Sequence, residues 1–158
     1  MTKYGVLFVI ILLQSFSASG QERFYNYYRP MLSYEVGALE SVTAGFSLMK
    51  LKRESEYSLK SSFHGPTFEA GVAFNDVDLL VHSRFAYEYF SHFIGARINV
   101  LHYSDFKQQS IAAKPELCFT FYHFITIGYG YSIPISSDHF HVNGNFFNLG
   151  IGLYFPRK

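Results

Sequence analysis

The stretch 147-FNLGIGLYF-155 sets Phe147, Leu149, Ile151, Leu153 and Phe155 at odd positions against Asn148, Gly150, Gly152 and Tyr154 at even ones. Successive side chains of a strand point to opposite faces, so this spacing predicts a strand with one apolar face and one nearly bare. The pattern recurs upstream in Ile125, Ile127, Tyr129, Tyr131 and Ile133 against Thr126, Gly128, Gly130 and Ser132. Before that, Leu117, Phe119 and Phe121 oppose Glu116, Cys118 and Thr120, and Ile94, Ala96, Ile98 and Val100 oppose Gly95, Arg97 and Asn99. The N-terminal half repeats it. There Leu32, Tyr34, Val36 and Ala38 oppose Ser33, Glu35 and Gly37, and Val42, Ala44, Phe46 and Leu48 oppose Thr43, Gly45 and Ser47. Phe68, Ala70, Val72 and Phe74 oppose Thr67, Glu69, Gly71 and Ala73, and Leu79, Val81, Phe85, Tyr87 and Tyr89 oppose His82, Arg84, Ala86 and Glu88. Eight such segments, an even number, predict an all-β, eight-stranded antiparallel up-and-down barrel, with strands of roughly 8 to 12 residues. Short turns are expected at Leu39 to Ser41, Asn75 to Asp78, Ser91 to His92 and Tyr122 to Phe124. Longer connections are expected at Arg53 to Pro66, Ser104 to Lys114 and Pro134 to Asn145.

The composition agrees with one folded domain: 158 residues, 49% hydrophobic, 20% aromatic and only 16% charged. A formal charge of +1 gives no basic excess with which to recruit nucleic acid. The single cysteine, Cys118, excludes an intramolecular disulfide framework and a cysteine-rich metal site. Residues 1–20 carry Lys3, the apolar run Val6 to Leu13 and small residues up to Gly20, the pattern of a secretory signal peptide cleaved before Gln21. The expected mature domain is 21–158, with 12 basic and 12 acidic residues once Lys3 is removed.

Alternation alone fits a soluble barrel with its apolar face inward or a membrane barrel with that face outward. The polar face decides between them. Water-facing strands normally carry long charged side chains, whereas Lys50, Lys52, Lys60, Lys107, Lys114 and Lys158 are expected at strand ends and in connections. The polar face holds Gly, Ala, Ser and Thr together with Glu35, Glu69, His82, Arg84, Glu88, Arg97 and Glu116. Small residues and paired charges suit a narrow lumen, and these seven are expected to form an ion-pair network filling it. Four carboxylates against two arginines leave an excess of two, for which His82 or a protonated Glu is the expected balance. The aromatic face suits lipid and interfacial girdles, so the barrel is expected to be transmembrane, with a soluble secreted ligand-binding barrel as the alternative.

Signal peptide, eight amphipathic strands and an aromatic-rich last strand together resemble the small outer-membrane barrels of Gram-negative bacteria. The run Pro115 to Phe121 followed by Ile127 to Pro134 is similar to a type common in Bacteroidetes sequences of undefined role. The resemblance implies outer-membrane lipid as surroundings and a structural or surface-interaction role. Any partner would meet the loops Asn75 to Asp78, Ser104 to Lys114 and Pro134 to Asn145. It implies no cofactor, no open pore and no nucleic acid. Two features depart from it. Such barrels usually end on an aromatic residue, whereas Phe155 is followed here by Pro156, Arg157 and Lys158. With both termini periplasmic, the long connection Arg53 to Pro66 falls where turns should be short, so either a bulge near Met49 to Leu51 extends the second strand beyond the membrane, which is the favoured expectation, or the strand count is off by one.

Two clusters could carry chemistry. His102 and Ser104, two apart, face the same way on a strand, so the imidazole could activate the hydroxyl. With the later Glu116 they resemble the lipid A 3-O-deacylases, which implies His102 as base, Ser104 as nucleophile and Glu116 as the group orienting the imidazole. Glu116 is expected on the opposite face, and Asp105 stands where that family has Asn. Asp138, His139 and His141 offer carboxylate and imidazole ligands for zinc or copper, at most three of the four a closed site needs. Phe140 between them reads as an exposed anchor. No phosphate loop, nucleophile elbow, HExxH or CxxC motif is present.

Overall fold

A computed structural model describes residues 23–53, 61–74, 79–121, 124–136 and 139–156. The signal-peptide reading of residues 1–20 and the turn Asn75 to Asp78 lie outside them. The strands are β1 (Arg23–Val36), β2 (Glu40–Arg53), β3 (Ser61–Phe74), β4 (Leu79–Ser91), β5 (Ile94–Ser104), β6 (Gln109–Phe121), β7 (Ile125–Pro134), β8 (Gly144–Gly152) and the two-residue β9 (Phe155–Pro156). From β1 to β8 each pairs antiparallel with its sequence neighbour, and β1 pairs with both β2 and β8, closing an eight-stranded up-and-down barrel. β9 continues β8 along β1 in the same register, after an interruption at Leu153 and Tyr154.

Paired residues trace the barrel's geometry. Asn26 pairs with Lys50, and the row continues through His64, Tyr89, Ala96, Leu117, Tyr129 and Phe147 to Val36, ten residues further along β1. A shift of that size over eight strands tilts them by roughly 40° and gives a backbone radius of about 8 Å, an interior that side chains can fill.

The faces follow the sequence alternation. Most outward residues are apolar, with Leu117 70% and Ile98 67% exposed, while inward Arg97 and Glu88 are 1% and 0% exposed. Several strands are longer than expected, reaching 14 residues in β1, β2 and β3. β3 starts at Ser61, so Gly65 and Pro66 lie inside it rather than in a connection. No bulge accommodates this: the β2–β3 register is constant from Glu40↔Phe74 to Arg53↔Ser61. Pairing lapses only where Leu48 and Met49 face Pro66 and Gly65, because proline has no N–H to give the ladder. Lys114, expected in a connection, is buried in mid-β6.

Along the axis the interior has three parts. At the end where β1 turns into β2, here the loop end, Leu39, Ala73, Leu80, Leu101, Tyr103, Ala112, Phe140 and Val142 form an apolar plug. Phe140 is thus not an exposed anchor; at 6% exposure it folds into the mouth. At the opposite end, which carries Arg23 and Pro156, Met49, Phe63, Phe90 and Cys118 form a second plug, packed by Tyr27, Leu51 and Tyr154. The charged residues lie between the two.

Candidate functional site

The register carries inward charges to one central layer from five strands: Arg29 and Glu35 on β1, Glu69 on β3, Arg84 and Glu88 on β4, Arg97 on β5, and Lys114 and Glu116 on β6. All are buried. Glu88 binds Arg29 and, at 2.9 Å, Arg97, whose other terminal nitrogen lies 3.4 Å from Glu116. Arg84 reaches Glu69 at 3.2 Å and also binds Glu35, which accepts from Lys114 as well. Neutral donors complete the carboxylates: Thr43 Oγ1 donates to Glu69 at 2.7 Å, and Asn99 and Asn148 donate to Glu116 at 3.1 and 3.3 Å. Arg29 also donates to Ser47 Oγ at 3.1 Å and to the Tyr154 hydroxyl at 3.0 Å.

Arg29 and Lys114 are the residues that the sequence reading lacks. With them, four cations face four carboxylates, and the apparent excess of two negative charges disappears. His82 is not the balancing charge: its ring stacks on Tyr103 at 5.4 Å, and neither ring nitrogen has a hydrogen-bond partner among the described residues. Strand parity carries the missing signal. Counting back by twos from Glu35 reaches Ser33, Met31 and Arg29, and from Glu116 reaches Lys114.

The small wall of β7 and β8 makes room for these long side chains. A Cβ at Gly128 would fall 1.7 Å from Glu116 Oε1, and one at Gly152 would fall 2.9 Å from the Arg29 stem. This arrangement neutralises and fills the interior.

The other candidates are kept apart. His102 and Ser104 lie half-buried on the outer wall, while Glu116 faces the lumen on the other side of it. His102 Nε2 pairs with Gln109 Oε1 at 3.1 Å, and Ser104 Oγ accepts the Phe106 N–H at 3.0 Å, so the hydroxyl caps a turn. Asp138 lies outside the described residues. His139 and His141 are both exposed; the His139 N–H donates to Ser110 Oγ at 3.1 Å, and His141 is left-handed at φ 51°. Among the described residues no group of His, Cys, Asp or Glu is placed to hold a metal.

At the loop end the turn Asp105 to Gln108 is locked from within. Asp105 Oδ1 accepts the N–H groups of Lys107 at 2.8 Å and Gln108 at 2.6 Å. Those bonds, Gln108 first, hold the Asp105 carboxyl below its ordinary range. The turn presents Phe106, left-handed at φ 70°, with 88% of its surface exposed. No protein-family model matches the chain, and no curated protein matches it in sequence.

Proposed function

We propose that the chain spans the outer membrane of a Gram-negative cell as a small barrel without an open pore, serving a structural or surface-interaction role through its loop end. The observation that carries this reading is the inverted distribution of side chains, with an apolar wall outside and eight charges within. In water, exposed apolar patches on monomers rarely exceed a few hundred Å². Here the outward wall is apolar on every barrel strand. Along β4, outward Leu79 to Tyr89 is interrupted only by Ser83 and spans roughly 25 Å of height at the tilt given above, the height of a barrel's lipid-facing band. Tyrosine hydroxyls on that wall find polar partners, Tyr34 on Glu40 at 3.2 Å, Tyr129 on Asn145 at 3.0 Å and Tyr87 on His64 at 2.8 Å, as interfacial tyrosines do. A ligand-binding soluble barrel would want this apolar surface inside, where the charges are.

Phe106 on its locked turn supports the surface-interaction part, since a rigid exposed aromatic meets a partner at low entropic cost. The test is expression of the full-length chain in a Gram-negative host, followed by gel mobility of the outer-membrane fraction with and without boiling. A folded membrane barrel migrates differently until boiled. Recovery as a soluble protein with no shift would overturn the reading.

A further inference from the structure

A row of inward hydroxyls crosses the wall where the barrel closes. Thr120 of β6 pairs with Thr126 of β7, Thr126 with Gly150 of β8, Gly150 with Ser33 of β1 and Ser33 with Thr43 of β2, so the row carries Thr or Ser on each of these strands but β8. The position a Cβ would take at Gly150 lies 3.4 Å from Ser33 Oγ, 3.8 Å from Thr126 Cβ and 3.9 Å from Met31 Cε, all ordinary contacts. At every other described glycine within a strand, apart from Gly144 where β8 begins, that position falls 2.9 Å or less from a neighbour. Crowding therefore accounts for those glycines and leaves Gly150 unexplained, because its recess has room for one more small group.

The lining of the recess is polar and incompletely bonded. Ser33 is 3% exposed, and its Oγ, the nearest atom to the recess, has no hydrogen-bond partner among the described residues. Asn148 Oδ1, two residues along β8 on the same inward face, is also without one. Buried oxygens left in this way cost stability unless something donates to them or accepts from them. On the other side of Gly150, Thr126 carries its hydroxyl on the carbon that lies 3.8 Å away. Thr126 keeps 5% of its surface exposed, against 1% for Thr120 and 2% for Thr43, so the row is loosest beside Gly150.

We infer that the recess over Gly150 binds one water molecule, held between Ser33 of β1 and Thr126 of β7, with Asn148 Oδ1 as a further acceptor on β8. Buried waters make about three hydrogen bonds to groups that otherwise lack them, which is the lining found here. An apolar guest would leave Ser33 Oγ unpaired. A cation would need a carboxylate to spare, whereas Glu35 is already bound by Arg84 and Lys114, and Glu116 by Arg97. The site lies inside the wall and is the same whether lipid or water surrounds it. Its place also gives it a task. β8 pairs with β1 only from Met31 to Val36, while β2 pairs with β1 from Arg23 to Glu35. A water joining Ser33 to Thr126 links β1 to β7 over the top of β8, and adds to the closing seam a tie that the backbone ladder lacks.

The test joins a crystal structure of the folded chain to thermal melts. In the wild type a solvent oxygen is expected above Gly150 at hydrogen-bonding distance from Ser33 Oγ, and in Gly150→Ala, where the methyl takes its room, none. No solvent density there in the wild type, or a water that stays in Gly150→Ala, would overturn the inference. The melts read the same site in solution. Gly150→Ala expels the water and strands Ser33 Oγ, a loss roughly offset by the smaller chain entropy of alanine in the unfolded state, so the melting temperature should stay close to that of the wild type. In a Ser33→Ala background no hydroxyl is stranded, and the same substitution should raise the melting temperature by a few degrees. Equal shifts in the two backgrounds would mean that Ser33 and the recess share no water, and would overturn the inference as well.

Discussion

Arg84 shows how much one interior side chain carries. It holds Glu35 and Glu69 together, with no solvent to take its place. Removing one partner of a buried pair strands the other, typically at a cost of about 3–5 kcal/mol, and here two carboxylates are stranded at once. Arg84→Met is therefore expected to lower sharply the temperature at which the boiled gel mobility appears. Lys107→Ala on the exposed turn should shift stability by no more than about 0.5 kcal/mol. Equal melting of the two variants would show that the network does not hold the barrel together. His82 differs in kind: buried against Tyr103 without a hydrogen bond, it contributes shape to the loop-end plug and no charge to the layer.

The strands divide the labour, since β1 and β3 to β6 bring charges while β7 and β8 bring glycines. Gly128 and Gly150 make a matched pair for testing this. A methyl at Gly128 would collide with the Glu116 carboxylate at 1.7 Å, whereas at Gly150 its nearest neighbour is Ser33 Oγ at 3.4 Å. Gly128→Ala should cost about 1–3 kcal/mol through overpacking, and Gly150→Ala much less; thermal melts of the two in one detergent would compare them directly. The same strands explain what the sequence discloses and what it conceals. All eight were legible from period two, together with the face each side chain takes, because an antiparallel wall with an apolar outer face and a polar inner one forces clean alternation. Three strand starts were not, and each is concealed by a proline. Pro30, Pro66 and Pro115 break the propensity signal, so strands read as beginning at Leu32, Thr67 and Glu116 when they extend well upstream. Arg29 and Lys114 stand immediately before two of those prolines, which is why half of the cationic set was hidden. Phe140 was missed for another reason: a loop's return into a barrel mouth leaves no periodicity to read.

For the molecule as a whole, two apolar plugs enclose a neutral charged layer, and no continuous aqueous path is expected. In a planar lipid bilayer the chain should give no stepwise conductance; a steady open channel would contradict the plugged interior. The layer also bears on how such a sheet becomes a cylinder. Among the six ion pairs of the described residues, Arg29 with Glu88, Arg84 with Glu35, and Lys114 with Glu35 join β1 to β4 and β6, strands to which it is not hydrogen-bonded. Until the first strand has curled round to meet the last, Lys114 lacks its carboxylate and Arg84 keeps only Glu69. A half-zipped intermediate would hold unmatched charge against its surroundings, and sealing the seam is the step that cancels it. Electrostatics thereby acts as a checkpoint on assembly, penalising every form in which the ring is left open.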